Sequence, residues 1–172
     1  MDDLSIGALL GSITFLIIVS AYFSGSETAM MALNRYRLKH LAKEGHGGAT
    51  RAGKLLERPD RLLGVILIGN NLANFTAASL ATLLALELLG DAGVAWAPII
   101  CTIVFLVFAE VAPKTIAAIY PEKVALPSSY LLQLLLWISY PFVWLVNGIA
   151  NGMPKLFGVN HDEAGEDHLS VD

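Results

Sequence analysis

Residues 4–26 read LSIGALLGSITFLIIVSAYFSGS, a stretch of 23 residues without a charged side chain. A helix of about 20 apolar residues crosses the hydrocarbon core of a bilayer, which is about 30 Å thick. The residues before the stretch are Met1-Asp2-Asp3, which lack the basic character that begins a signal peptide. We therefore interpret the stretch as a retained membrane span. Three more uncharged runs follow, at 62–86, 92–109 and 124–150.

The composition agrees with a membrane protein. Of the 172 residues, 55% are hydrophobic and only 15% are charged, which is too apolar for a soluble domain of this length. The single cysteine, Cys101, excludes an intrachain disulfide and a cysteine-rich metal site. Nucleic acid is not an expected partner, because the basic stretch of the chain is flanked by apolar runs and has few aromatic residues.

The basic residues are concentrated in one connection, which fixes the predicted topology. Eight of the eleven lie between the first two runs: Arg35, Arg37, Lys39, Lys43, Arg51, Lys54, Arg58 and Arg61. By the positive-inside rule this connection faces the cytoplasm, so the N-terminus and the turn at 90–93 lie outside. The third run returns inward. The expected location is the inner, or plasma, membrane.

The fourth uncharged run, 124–150, is interrupted by Pro127 and Pro141 and carries aromatic residues that suit the headgroup region. We expect it to lie on the cytoplasmic side of the bundle or along the interface, which leaves the C-terminus in the cytoplasm. The basic connection reads as a helical hairpin, with helices at 35–44 and 49–57 and a break at 45–48.

These segments predict an all-α polytopic membrane protein with three transmembrane helices, a cytoplasmic helical hairpin and a juxtamembrane helix. The membrane domain spans residues 1–159, with the basic hairpin at 35–61 and the juxtamembrane region at 124–157. Residues 160–172 are acidic and predict a linker towards cytosolic domains that are absent from this chain.

Three polar clusters interrupt the spans: FSGSET at 23–28, GNN at 69–71 with Asn74, and EVAPK at 110–114. Depth can be counted along a helix at about 1.5 Å per residue from a flanking cytoplasmic basic residue. Ser24 lies roughly 16 Å from Arg35, Asn70 roughly 14 Å from Arg61, and Glu110 roughly 20 Å from Lys123. Placing ionisable and polar groups at such depth is energetically unfavourable, so we first consider these residues as candidates for a functional site. The common depth predicts that the three clusters meet near the bilayer midplane.

The chemistry of the clusters is that of oxygen ligands. Hydroxyl, amide and carboxylate oxygens suit hard cations such as Mg²⁺, Ca²⁺ or Na⁺. Pro113 removes an N–H and, in an α-helix, frees the carbonyl of Ala109 beside Glu110. Structural explanations stay open: small residues serve helix packing, asparagines join helices by hydrogen bonds, and Glu110 can pair with Lys114 one turn later.

Together the three motifs resemble the signatures of the transmembrane domain of the CorB/CorC proteins and the related cyclin-M transporters. The resemblance covers about residues 4–157. It implies a homodimer that exports Mg²⁺ in exchange for Na⁺, with cytosolic CBS modules that bind ATP outside this chain. It also implies a Mg²⁺ site on Ser24, Asn70 and Glu110, with Gly25, Ser26 and Asn74 close by.

We therefore predict a magnesium transporter that binds Mg²⁺ at a midplane site and is coupled to Na⁺. Two rivals stay open, a passive divalent-cation channel and a membrane anchor or sensor that does not transport. An enzyme is not expected, because the sequence has no nucleophile–base pair and no phosphate-cradling loop.

Overall fold

The computed structural model describes residues 3–156, and every regular element within that range is helical. The helices are α1 (Asp3–Ala32), α2 (Arg35–Lys43), α3 (Gly47–Leu55), α4 (Pro59–Leu89), α5 (Asp91–Val104), a π-helix (Phe105–Val111), α6 (Ala112–Ile119) and α7 (Pro121–Leu156). The predicted linker at 160–172 lies outside the described residues.

Three helical segments of the described chain are long and apolar enough to cross a membrane: Ile6–Ala32, Pro59–Leu89 and Asp91–Ile119. The third is formed by α5, the π-helix and α6, which follow one another without a break. Each segment extends beyond the uncharged run that predicts it. The expected all-α fold with three membrane helices is confirmed.

Helices α2 and α3 form the hairpin between the first two membrane helices. Asn34 caps α2, because its Oδ1 accepts hydrogen bonds from the N–H groups of Tyr36 and Arg37. His46 caps α3 in the same way, with Nδ1 accepting from Ala49 N–H. The break therefore ends at His46, and the prediction that it extends to residue 48 is wrong. Gly48 is helical and packs so closely on α7 that an added Cβ would lie 3.1 Å from Leu126 O.

The predicted juxtamembrane helix is present as α7, which runs continuously through Pro127 and Pro141. A proline removes one hydrogen bond, and a long helix packed on its neighbours tolerates that loss.

The first half of α7 stays beside the hairpin side of the molecule. Glu122 pairs with Arg37 of α2, Ser129 Oγ donates to Gly48 O of α3 at 3.4 Å, and the Arg61 guanidinium lies 5.2 Å from the centre of the Tyr140 ring. Glu122 and Tyr140 are about 27 Å apart along the helix. Over this length α7 therefore contacts both the hairpin and the start of α4.

The buried core lies where α1, α4, α6 and α7 meet the hairpin. Its largest members are Phe23, Met30, Leu62, Ile66 and Leu132. Towards the other end of the bundle, large apolar side chains such as Phe15 and Phe75 are exposed. A surface of this kind is what lipid chains cover, and the polar clusters lie between the two regions.

Candidate functional site

The structure brings Ser24, Asn70 and Glu110 into one hydrogen-bonded cluster. Ser24 Oγ donates to Glu110 Oε2 at 3.0 Å, and Asn70 Nδ2 donates to Glu110 Oε1 at 3.1 Å. The three residues come from α1, α4 and the π-helix. Both oxygens of a single carboxylate are therefore held from two different membrane helices.

Two further residues complete the cluster. Ser20 is fully buried, and its Oγ donates to Asn70 Oδ1 at 2.7 Å. The sequence analysis missed it, although Ser20 lies one helical turn before Ser24 and so shares its face. Lys114 Nζ lies 3.0 Å from Glu110 Oε2, the same oxygen that accepts the Ser24 hydroxyl.

The backbone at Glu110 is a π-helix and not an α-helix. The N–H of Ala112 donates to the carbonyl of Val107, five residues earlier. In that register the N–H missing at Pro113 corresponds to the carbonyl of Phe108, one residue before the Ala109 carbonyl that α-helical spacing would free. A π-helix widens one turn and often occurs at a functional site, because it re-aims a side chain relative to its neighbours.

Gly25 and Ser26 are buried beside the cluster, but neither forms a side-chain hydrogen bond with it. Gly25 faces Pro113, whose Cβ and carbonyl oxygen lie 3.5 Å from where a Cβ would stand, so it brings α1 close to α6. Ser26 Oγ is buried and has no hydrogen-bond partner among the residues that the structure describes. Ser26 is thus a polar group without a contact to Glu110.

Asn74 lies apart from the hydrogen-bonded cluster, on a cavity of about 410 Å³ between α4 and the third membrane helix. Glu110 lines the same cavity, together with Cys101, Thr102 and Phe105. Asn74 Oδ1 is buried and, within residues 3–156, accepts no hydrogen bond. Asn71 is exposed and belongs neither to the hydrogen-bonded cluster nor to the lining of this cavity.

The site offers one carboxylate among neutral oxygens. No group of three or more His, Cys, Asp or Glu side chains that could hold a metal occurs in the described part of the chain. Ser20 and Asn70 at present satisfy each other, and Lys114 balances the charge of Glu110. A hard cation at Glu110 must therefore compete with Lys114, and Asn70 must turn its amide oxygen away from Ser20 to become a ligand.

Comparison with known proteins places these motifs in a family. The profile of the cyclin M transmembrane N-terminal domain matches residues 12–172. The UPF0053 inner membrane protein YfjD of Escherichia coli is 57% identical over 144 residues, which cover 84% of this chain and 34% of that protein. The polyamine export protein of Salmonella typhimurium is 35% identical over 168 residues, which cover 84% of this chain and 35% of that protein.

A UPF0053 protein of Haemophilus influenzae is 47% identical over 162 residues, which cover 94% of this chain and 39% of that protein. The chain thus spans a little over a third of the length of the relatives that it matches. The shared region is the membrane domain, and the remaining length of those proteins has no counterpart here.

Proposed function

The chain belongs to the family of the cyclin M transmembrane N-terminal domain, and from this premise we propose that it is the membrane domain of a magnesium transporter. Ser24, Asn70 and Glu110 bind the ion, and Gly25, Ser26 and Asn74 line its surroundings. Na⁺ is the coupling ion. The domain carries a cation and performs no chemical reaction.

The observation that supports this proposal is the position of the Glu110 carboxylate. It lies between α1 and α4, and hydroxyl and amide groups reach it from both helices. Mg²⁺ prefers a small shell of oxygen ligands that includes one or two carboxylates. A site built from separate helices can open to one side or the other when those helices move, which is what alternating access requires.

Energetics support a coupling ion. Moving one charge against a membrane potential costs about 2.3 kcal/mol per 100 mV, so exporting a divalent ion needs a second source of free energy. The entry of Na⁺ can supply it. A passive channel would instead let Mg²⁺ flow without a Na⁺ gradient.

The test is a calorimetric Mg²⁺ titration of the purified chain in lipid nanodiscs. Glu110→Gln keeps the shape of the side chain but removes its charge, and we expect it to abolish binding. Glu87→Gln is the matched control, because Glu87 is an exposed acid on α4 that takes no part in the cluster. Equal binding by the two variants would exclude Glu110 as a ligand, and no binding by the parent would favour the anchor or sensor.

A second cargo, an alkylammonium ion, is favoured by one specific contact. Glu110 already holds a primary ammonium, that of Lys114. Relatives from Salmonella typhimurium and Escherichia coli are named polyamine export proteins. Separate titrations with spermidine and with Mg²⁺ distinguish the two cargoes. If spermidine binds to the parent and not to Glu110→Gln, and Mg²⁺ does not bind to the parent, the cargo is an alkylammonium ion and not Mg²⁺.

The proposal extends to the assembly and the location of the protein. We place the chain in the inner membrane, where its relative YfjD is named, as a homodimer in the lipid bilayer. ATP acts only through cytosolic domains outside this chain. Gly7 and Gly11 on α1 have no atom of the described chain within 4 Å of an added Cβ. That face of α1 is open to close approach by a second copy.

A further inference from the structure

We propose that the ammonium of Lys114 is a tethered counter-cation that occupies Glu110 in competition with the transported ion and leaves the carboxylate when that ion binds. This inference rests on the proposed function, because it concerns the same carboxylate. It assigns to Lys114 the control of cation affinity.

The geometry places Lys114 and a bound cation in competition for one carboxylate oxygen. Lys114 Nζ contacts Glu110 Oε2 at 3.0 Å, and Ser24 Oγ contacts that same oxygen at 3.0 Å. For a cation bound between Ser24 and Glu110, this oxygen is the nearest carboxylate ligand. The ammonium and the cation would then be separated by only a few ångströms, a distance at which like charges in a poorly solvated site repel strongly.

Lys114 has room to move away from Glu110. Its side chain is 45% exposed, whereas that of Glu110 is 28% exposed. A lysine has a flexible four-carbon stem that lets its charged end reach water while the stem stays on apolar surface. Withdrawal of the ammonium therefore requires rotation of one side chain and no rearrangement of the helices.

The pairing has a consequence for transport. An unpaired carboxylate within the bilayer is unfavourable, and a buried charge that has lost its partner is more so. With Lys114 on Glu110, the carrier that holds no cargo is locally neutral and can change its orientation at low cost. Lys114 thus lowers the affinity for the cargo and at the same time lets the protein return without it.

The first experiment is a Mg²⁺ titration of Lys114→Gln by calorimetry, in the same nanodiscs as the parent. We expect the variant to bind Mg²⁺ at least about 10-fold more tightly, since each tenfold corresponds to only about 1.4 kcal/mol. Lys114→Arg keeps the charge and should bind like the parent. Lys123→Gln is the matched control, because the Lys123 ammonium lies 4.7 Å from the centre of the Tyr120 ring and away from Glu110.

A second measurement needs no variant. An apolar carbodiimide joins a carboxylate and an amine in contact, with loss of one water, so it should link Glu110 to Lys114 in the parent chain. Mass spectrometry of the 110–114 peptide detects the link, and Mg²⁺ should suppress it. Suppression together with tighter binding by Lys114→Gln supports the proposal.

Two results would overturn the inference while leaving the proposed function intact. In the first, the parent binds Mg²⁺ and Lys114→Gln binds it no more tightly than the parent does. The other is a Glu110–Lys114 link that forms equally with and without saturating Mg²⁺ in such a parent. If Glu110→Gln binds Mg²⁺ as the parent does, the proposed site fails and this inference fails with it.

Discussion

Ser24 Oγ and Glu110 Oε2 lie 3.0 Å apart although 86 residues separate them in the chain. Their hydrogen bond joins the first membrane helix to the third at the point where the third is π-helical. Both residues are polar groups that the bilayer would exclude unless they served each other or a ligand. The bond therefore marks the level at which the three helices share a polar centre.

Asn70 should be needed for Mg²⁺ binding while its neighbour Asn71 should not. Asn70 donates to Glu110 and accepts from Ser20, whereas Asn71 is exposed. We expect Asn70→Ala to weaken Mg²⁺ binding by about 10-fold to 100-fold, the range seen when a group that positions a metal ligand is lost. Calorimetry on Asn70→Ala and Asn71→Ala measures the difference. Equal losses would point to a general effect on α4 and against a ligand role for Asn70.

Gly69 should be required for the packing of α1 on α4. A Cβ at this position would stand 2.3 Å from Cζ of the buried Phe23 ring. Overpacking a well-filled core costs about 1–3 kcal/mol, so Gly69→Ala should lower the thermal unfolding midpoint. Gly53→Ala in α3 is the control, because a Cβ there meets no atom within 4 Å. If both variants melt like the parent, the close contact between Phe23 and Gly69 is wrong.

The membrane helices and the central cluster could be predicted because each depends on a local property. Uncharged runs of sufficient length identify the spans, and distance from the basic connection places Ser24, Asn70 and Glu110 at a similar depth. A similar depth allows those three residues to meet, but their meeting also requires that their side chains face one another, as Asn70 does and the adjacent, exposed Asn71 does not. Their detailed roles as ligands stay a prediction.

What the sequence could not predict depends on contacts between elements. The π-helix at Glu110 shifts the hydrogen-bond register by one residue from the α-helical spacing that the sequence-based prediction assumes. The contact of α7 with the hairpin, in which Ser129 donates to Gly48 of α3, joins residues 81 positions apart and has no local signal. Asn74 and Asn70 look equivalent in sequence, yet only Asn70 faces Glu110 closely enough to donate to it.

Topology can be tested with single cysteines in a background where Cys101 is replaced by serine. The prediction places Ala92 outside and Lys43 and Ser170 in the cytoplasm. An impermeant thiol reagent applied to intact cells should label Ala92→Cys and leave Lys43→Cys and Ser170→Cys unlabelled. Labelling of all three after the membrane is opened controls for accessibility. Labelling of Ser170→Cys from outside would mean that α7 crosses the bilayer.

Na⁺ should compete directly with Mg²⁺ for the central site. Na⁺ and Mg²⁺ about 4 Å apart repel by about 8 kcal/mol at an effective dielectric constant of about 20, which is twice the value for two unit charges, so both cannot use Glu110 at once. Asn74, Thr28 and Thr76 offer neutral oxygens that could hold Na⁺. Asn74 Oδ1 is the best placed, because it is buried on the same cavity as Glu110 and accepts no hydrogen bond from the described residues. Thr76 is exposed, and Thr28 Oγ1 donates to Ser24 O at 3.3 Å.

The measurement is a series of Mg²⁺ titrations at constant ionic strength, in which Na⁺ replaces a large organic cation step by step. Na⁺ should lower the apparent Mg²⁺ affinity, because it occupies ligands that the organic cation is too large to reach. Asn74→Ala should reduce this Na⁺ effect more than it reduces Mg²⁺ affinity, and Thr76→Val should change neither. If Na⁺ and the organic cation give the same Mg²⁺ affinity in the parent, the ions do not share ligands. Flux driven by the Mg²⁺ gradient alone would then be the simpler account of transport, as in a passive channel.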